Sequence, residues 1–330
     1  MTDFMLLAVS LGLLLLAARY FVDGISTIAE NLGAPKIVIG MTVVAFGTSM
    51  PELVVNSISA YHGSTDLAFG NIVGSCLVNT GFVLGLTAVI RPMKVEASLI
   101  TREIPMLIVS AVAVVVLGND RFLNAEAQDT WRRSDGVILL LLFCIFLYYT
   151  TREAIGAGKS DAFIAEVRDE VARSAPKSML IQSLVTLAGF IGVSLGANWT
   201  VEYAVAIARG FGASETVIGL TVISLGTTLP ELATCLLAAR RGDVDIALGN
   251  IVGSNIFNLL CIGGIVSTIR PVNIPNGGHA DLMVMAFLSI VLLPIAIRSD
   301  RTITRGEGAF LMTIFAAYLG WRVMGAIHAQ

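Results

Sequence analysis

Two glutamates lie inside long apolar stretches of this chain, each directly after a proline. Glu52 lies four residues after Thr48, and Glu231 lies four residues after Thr227. Residues four apart share one face of a helix, so each carboxylate is expected to lie beside a hydroxyl group. Because an ionised carboxylate is costly in hydrocarbon, such residues usually face the protein interior and have a function. The pattern predicts a buried site built on these two acids.

Further oxygen atoms accompany each glutamate. The proline removes a backbone N–H and disturbs the preceding helical turn, and at membrane depth such a backbone is tolerated where it is buried or lines a cavity. The predicted oxygen ligands are Glu52, Thr48, Ser49, Ser75, Asn79 and a carbonyl near Ala45, and, in the second set, Glu231, Thr227, Thr228, Ser254, Asn258 and a carbonyl near Ser224. Such oxygens bind hard cations, and calcium takes about six to eight of them. Thiolate and imidazole ligand sets are missing from this pattern, which disfavours zinc, copper and iron.

Several neighbouring residues have a structural interpretation instead. A single Ser or Thr in a membrane helix often bonds to a carbonyl one turn back. The G-x-x-x-G pairs that start at Gly70 and Gly249 are interpreted as helix-packing surfaces, and Asp66 and Asp245 as helix caps. The four cysteines are predicted to be buried in spans. Two residues fit either role and stay outside the predicted site: Asn71 and Asn250.

The two glutamates belong to a repeated segment. The first copy, residues 40–79, contains GMTVVAFGTSMPELVV and GNIVGSCLVN, and the second, residues 219–258, contains GLTVISLGTTLPELAT and GNIVGSNIFN. Each residue of the second copy lies 179 positions after its counterpart. Two related copies indicate one site that is formed by both halves of the molecule.

The composition is that of an integral membrane protein. The chain is 55% hydrophobic and only 14% charged, against roughly 25% charged residues in soluble domains. Apolar runs predict ten transmembrane helices, near 3–21, 37–60, 67–90, 104–118, 135–152, 179–198, 214–239, 245–268, 280–298 and 307–325. No long basic run is present in the sequence, which argues against binding of nucleic acid.

These spans divide into two halves of five. The first repeat covers 1–152, a polar linker covers 153–178, and the second repeat covers 179–330. Because five is odd, the second half enters the membrane in the opposite sense, which predicts an inverted repeat with substrate bound between the halves. The linker is interpreted as a solvated cytoplasmic connection that is too short to bury a core.

Loop charges predict the orientation. With the N-terminus outside, the loops on the inner side carry most of the 21 Lys and Arg residues, which favours both termini outside. The start of the chain carries Asp3 instead of the positive charge of a secretory signal, so it is interpreted as the first span.

The quoted segments resemble the alpha repeats of the calcium/cation antiporter superfamily, whose best-known members are sodium/calcium exchangers. G-T-S-M-P-E and G-T-T-L-P-E, together with the two G-N-I-V-G-S segments, match the family motifs, and the similarity covers essentially the whole chain. The resemblance implies an all-α, sodium/calcium exchanger-like fold of two inverted five-helix repeats, with Glu52 and Glu231 at a central cation site. Asn79 and Asn258 would lie beside them, and the other predicted oxygens would complete the ligand set.

The implied function is exchange of calcium for sodium across the membrane by alternating access, with no cofactor. The implied partners are these two ions and the lipid bilayer, without a protein partner, and the compact form is typical of a bacterial-type cell inner membrane. Some relatives carry Asp where this chain has Asn258, so the predicted pocket holds two carboxylates rather than three. A proton-coupled calcium or cation exchanger remains the alternative, because buried carboxylates can take up protons.

Two other classes fit the sequence less well. A channel would need a continuous polar lining, whereas the polar residues here concentrate in one cluster. A membrane-embedded enzyme would need a nucleophile with its base or a metal motif such as H-E-x-x-H, and the sequence contains neither. The sequence therefore favours a transporter.

Overall fold

The structure is a computed structural model, and it describes residues 2–32, 36–123, 125–126, 128–157, 179–210, 224–298 and 300–328. Nearly all of these residues are helical, so the prediction of an all-α protein is confirmed. Most of the predicted linker and the beginning of the seventh predicted span lie outside the described residues.

The first half consists of one long helix followed by shorter segments, several of which are joined by π-helical turns. In chain order its elements are α1 (Thr2–Leu32), α2 (Lys36–Ile39), π1 (Gly40–Val44), α3 (Ala45–Thr48), α4 (Met50–Tyr61), α5 (Thr65–Leu77), π2 (Val78–Leu84), α6 (Gly85–Ile90), β1 (Met93–Lys94), π3 (Leu99–Glu103), α7 (Ile104–Leu117), α8 (Asp120–Leu123), β2 (Thr130–Trp131) and α9 (Arg133–Ala157).

The second half repeats this order in its described part. Its elements are α10 (Met179–Gly210), α11 (Ser224–Thr227), α12 (Leu229–Arg241), α13 (Val244–Ile256), π4 (Phe257–Ile262), α14 (Gly263–Ile269), β3 (Val272–Asn273), α15 (Gly278–Ile297), β4 (Thr302–Ile303) and α16 (Arg305–His328).

Eight of the ten predicted spans correspond to helical segments that are long and apolar enough to cross a membrane. Seven are single spans, and the eighth is a bent pair: Asp3–Ile28, Thr65–Ile90, Leu99–Leu117, Arg133–Arg152, Met179–Ile207, Val244–Ile269, Gly278–Ile297, and Ile37–Thr48 with Met50–Tyr61. The span that was predicted as 104–118 begins at Leu99 instead, because π3 continues directly into α7. Of the two remaining predicted spans, 307–325 lies within α16, and the described part of 214–239 begins at Ser224.

The two spans that carry the predicted Ser and Asn ligands form the centre of the molecule. In Thr65–Ile90 and Val244–Ile269, 78% and 89% of the apolar stretch is buried, whereas less than half is buried in the other single-helix spans. The peripheral helices expose large apolar side chains such as Leu15, Leu184 and Phe287, which suits contact with lipid.

The long helices α1 and α10 are repeat equivalents, and they pack against each other in antiparallel fashion. Thr200 Oγ1 donates to Ser10 Oγ at 3.1 Å, and a Cβ atom built on Gly189 would lie 2.6 Å from the backbone nitrogen of Phe21. Ser10 is the repeat equivalent of Gly189, and Phe21 is that of Thr200, so the two contacts exchange under a pseudo-twofold rotation. The second half is therefore inverted relative to the first.

Two short β-pairs join the halves at opposite ends of α7. Met93 and Lys94 of β1 pair with Ile303 and Thr302 of β4, near the start of the span that contains α7. At the other end, β2 pairs with β3 through Thr130–Asn273 and Trp131–Val272. Each face of the molecule thus carries one pair, formed by one strand from each half.

One end of α1 is tied to the turn between α12 and α13. Asp23 forms an ion pair with Arg241, and Ser26 Oγ donates to Asp243 Oδ2 at 3.2 Å. We call these two contacts the α1 latch. At the repeat-equivalent position, Glu202 of α10 forms no ion pair in the part of the chain that the structure describes. The two faces therefore differ in how the α1–α10 pair is attached.

Candidate functional site

Both glutamates lie directly after a break in a helix. Ser49, with φ −91° and ψ 6°, separates α3 from α4, and the two halves of this span are bent by 46°. Thr228, its repeat equivalent, has φ −94° and ψ 6° between α11 and α12. A proline follows in the first turn of each new helix, where its missing N–H is tolerated. The predicted irregular backbone is confirmed in both copies.

The break places each carboxylate in the first turn of a helix, where the helix dipole favours negative charge. Glu52 and Glu231 are each only 1% exposed, and their carboxylates are close enough to interact electrostatically. Ser49 Oγ donates to Glu231 Oε1 at 3.0 Å, which joins the two halves. Within the described residues, both oxygens of Glu52 and Oε2 of Glu231 have no hydrogen-bond partner. Buried carboxylate oxygens without donors are costly unless a cation or proton compensates them.

Two buried asparagines lie in the π-helical turns. Asn79 is the second residue of π2, and Asn258 is the second residue of π4. π-Helical turns are rare and often occur at functional sites. The Oδ1 atoms of both residues are buried and accept no hydrogen bond within the described chain. Both amides therefore retain an oxygen that is available to a cation.

The predicted hydroxyls are linked by two equivalent hydrogen-bond sets. In one set, Thr48 Oγ1 lies 3.2 Å from Asn250 Oδ1 and 3.1 Å from the Val44 carbonyl oxygen, so its single hydrogen is shared between these acceptors, and Ser254 Oγ donates to Asn250 Oδ1 at 3.4 Å. In the other, Thr227 Oγ1 and Ser75 Oγ donate to Asn71 Oδ1 at 3.2 and 3.3 Å. Each asparagine thus connects a broken helix of one half to a central helix of the other.

Asn71 and Asn250 are the residues that the sequence analysis left out of the predicted site. Each lies four residues before the predicted Ser ligand in the same G-N-I-V-G-S segment, so the helical periodicity already placed it on that face. That signal was present, but an asparagine on a helix can also serve packing alone. Its contact with the opposite half is visible only in the structure.

The remaining predicted oxygens are the Thr228 hydroxyl and the carbonyls of Ala45 and Ser224. Thr228 Oγ1 donates to the Leu225 carbonyl of the preceding helix, α11, at 2.9 Å. The Ala45 carbonyl accepts the Ser49 backbone N–H at 3.0 Å and lies 3.4 Å from Thr48 Oγ1. The Ser224 carbonyl belongs to the first residue of α11.

The structural interpretations are confirmed at some positions and wrong at others. A Cβ atom built on Gly249 or Gly253 would lie 2.6 Å from the Ile37 carbonyl oxygen or 2.5 Å from that of Met41, so these glycines allow close helix packing, whereas a Cβ atom on Gly70 would meet nothing within 4 Å. The capping interpretation is wrong, because Ser64 and Asp243 occupy the cap positions and Asp66 and Asp245 lie in the first helical turns. The prediction of four buried cysteines is wrong at one position, because Cys144 is exposed on α9.

Comparisons with known proteins agree with this arrangement. The family described as "Sodium/calcium exchanger protein" matches residues 2–152 and 181–324. The chain is 37% identical to the putative antiporter CaxA of Alkalimonas amylolytica, over 94% of this chain and 95% of that protein. It is 30% identical to the sodium/calcium exchanger MaX1 of Methanosarcina acetivorans, over 96% of this chain and 97% of that protein.

The structure superposes on that of the sodium-calcium exchanger NCX_Mj with a TM-score of 0.82 and 30% sequence identity, covering 96% of this chain and 98% of NCX_Mj. The fold is therefore the predicted one, an all-α membrane protein with ten transmembrane helices in two inverted five-helix repeats. Sequence and structure together show that this chain belongs to the sodium/calcium exchanger protein family.

Proposed function

We propose that this protein exchanges calcium for sodium across the membrane by alternating access, and that both ions bind at the site around Glu52 and Glu231. Membership of the exchanger family supports the class of transport. The observation that carries the proposed site is the pair of buried glutamates from inverted halves, with three carboxylate oxygens that no group in the described chain hydrogen-bonds.

The donor set fits hard cations. Calcium prefers six to eight carboxylate, amide, hydroxyl and carbonyl oxygens, and Ser and Thr hydroxyls with backbone carbonyls also suit sodium. The proposed ligands are Glu52, Glu231, Asn79, Asn258, Thr48, Thr227, Ser49, Thr228, Ser75, Ser254, and the carbonyls of Ala45 and Ser224. Two carboxylates balance the charge of one calcium or two sodium ions. A third sodium would leave the site net positive, because Asn258 contributes no charge.

The same charges enforce exchange. A site without cations would have to move two bare carboxylates through low dielectric, which is strongly unfavourable. Only a loaded site would therefore change its access from one side to the other. In this mechanism α1 and α10 slide together past the central helices, and their close antiparallel contact supports movement of the two as one unit.

A proton-coupled calcium or cation exchanger is the second candidate. It is supported by the electrostatic interaction between the carboxylates of Glu52 and Glu231, because one bound proton would relieve their repulsion. In that case protons rather than sodium would compete with calcium for the carboxylate oxygens. Dependence on sodium separates the two candidates.

The proposed setting is a cell inner membrane with both termini outside. The relative YrbG of Escherichia coli K12, an inner membrane protein 35% identical to this chain, supports the location. The excess of Lys and Arg in the loops assigned to the inner side supports the orientation.

Uptake of radioactive calcium into sodium-loaded proteoliposomes, diluted into sodium-free buffer, tests the proposal. We expect uptake that requires internal sodium and is lost in Glu52→Gln. The matched control is Glu202→Gln, which removes an exposed carboxylate of α10 and should transport normally. Uptake driven by an acidic interior without sodium would favour the proton-coupled candidate. Wild-type flux in Glu52→Gln would contradict the proposed site.

A further inference from the structure

The internal symmetry of the site is broken where the two central helices meet. Cys76 and Asn255 are repeat equivalents, and they are in contact, with Cys76 Sγ 3.8 Å from the Asn255 carbonyl oxygen. Two equivalent residues that touch each other lie beside the pseudo-twofold axis. Both are almost completely buried, so the amide in one copy and the thiol in the other contact other buried groups rather than lipid or water.

The amide of Asn255 holds Asn79 in a defined orientation. Its Oδ1 accepts a hydrogen bond from Asn79 Nδ2 at 3.1 Å, and its Nδ2 donates to Thr80 Oγ1 at 2.7 Å. Asn79 and Thr80 are themselves buried. Because Asn79 Nδ2 donates to Asn255, Asn79 Oδ1 points away from Asn255, and it has no hydrogen-bond partner in the described chain.

The equivalent amide in the second copy has no such support. Asn258 lies beside the thiol of Cys76 and interacts with it, but within the described residues neither its Nδ2 nor its Oδ1 forms a hydrogen bond of ordinary geometry. A thiol is only a weak donor and acceptor, so it cannot select one orientation of an amide as Asn255 does. One amide of the site is thus fixed, and its counterpart is not.

We propose that Asn255 is a positioning residue that, with Thr80, fixes the Asn79 amide with its oxygen available for the transported cation. This inference rests on the proposed function. Asn79 is then preorganised as a ligand, and the affinity for calcium includes the benefit of that preorganisation. Asn258 has to be oriented by the cation itself, because Cys76 occupies the equivalent position.

The chain supplies its own matched variants. Asn255→Cys gives both copies the thiol, and we expect it to raise the KM for calcium roughly fivefold, the loss of about one hydrogen bond, with a much smaller change in maximal rate. Cys76→Asn serves as the control. The repeat equivalent of Thr80 is Leu259, which has no hydroxyl to accept a bond from a second amide, so this variant should not lower the KM.

The measurements are sodium-driven calcium uptake in proteoliposomes and calcium titration of the purified protein by calorimetry. Thr80→Val serves as a milder variant in case Asn255→Cys does not insert, and it should raise the KM by a smaller factor. An unchanged KM in Asn255→Cys or Thr80→Val would overturn the positioning role. Absence of calcium uptake by the wild type under every gradient would instead overturn the proposed function as well.

Discussion

The two copies of the glutamate motif differ in their hydrogen bonds although their sequences are nearly alike. Glu231 accepts a hydrogen bond from Ser49 of the opposite half, whereas neither oxygen of Glu52 has a partner in the described chain. Thr228, the equivalent of Ser49, donates to the Leu225 carbonyl in the preceding helix of the same half. Gene duplication in this molecule has thus preserved the charges of the site while the hydrogen bonds around them diverged.

Ser49 and Thr228 differ by one methyl group. Threonine is β-branched, which restricts its χ1 angle, and in helices its hydroxyl commonly bonds to a carbonyl three or four residues back. Serine lacks that methyl group, so Ser49 is free to turn its hydroxyl towards Glu231 across the interface. Of two residues that look interchangeable in the alignment of the copies, only one links the halves.

The largest effect on calcium uptake should come from neutralising either glutamate, a feature that the two copies share. We expect Glu231→Gln to abolish sodium-driven calcium uptake as Glu52→Gln does, because either substitution removes one of the two charges that balance calcium. Calcium uptake into proteoliposomes measures this loss. A single monodisperse peak of the detergent-solubilised variant checks that it is folded. Substantial uptake in Glu231→Gln would mean that the copies differ in charge function as well as in hydrogen bonding.

The hydrogen bond of Ser49 should give an intermediate effect. We expect Ser49→Ala to weaken calcium binding more than Thr228→Ala, by about 1.5 kcal/mol or roughly tenfold, because only Ser49 also bonds to a carboxylate. The two variants lose the same proposed ligand oxygen, so the difference between their calcium affinities, measured by calorimetry, reports the bond to Glu231. Equal affinities would show that the divergence of the two copies has no energetic consequence.

The smallest effect on calcium transport should come from the acceptors of the Asn71 and Asn250 amides, which also differ between the copies. Asn71 Nδ2 donates to Asn56 Oδ1 at 3.2 Å, and its equivalent, Asn250 Nδ2, donates to Cys235 Sγ at 3.3 Å. Because sulfur serves this role in one copy, we expect Asn56→Cys to change the KM for calcium less than about twofold.

Asn56→Leu is the matched control for this substitution. It leaves the Asn71 amide without its acceptor and should lower stability by about 1–3 kcal/mol, visible as a lower Tm in detergent. If Asn56→Cys lowered the Tm as much as Asn56→Leu, the two acceptors would not be equivalent.

The main features of the fold and of the site follow from local sequence rules. Pro51 and Pro230 predict the helix breaks, and the odd number of spans in each half predicts the inversion that the α1–α10 contact confirms. Apolar length predicts most of the spans, but it misses that π3 continues into α7, because Arg102 and Glu103 interrupt the apolar run there.

The details that depend on the opposite half could not be predicted. Whether Asn71 and Asn250 bind or pack is decided by the hydroxyls that face them, and these come from the other repeat, more than 150 residues away in the chain. Cys144 was predicted to be buried from its place in a span, but a span has a lipid-facing side on which apolar residues are exposed. In both cases the missing information is which element packs against which face.

The α1 latch bears on the resting orientation of the transporter. If the two halves of an inverted repeat were identical, the inward-facing and outward-facing forms would be equally populated without a gradient. Among the described residues the latch ties α1 at one face and has no counterpart at the other. An ion pair of this partly exposed kind contributes at most about 1 kcal/mol, enough for a roughly fivefold bias towards the latched form. Because salt screens such a pair, the resting population would shift as the ionic strength at that face rises.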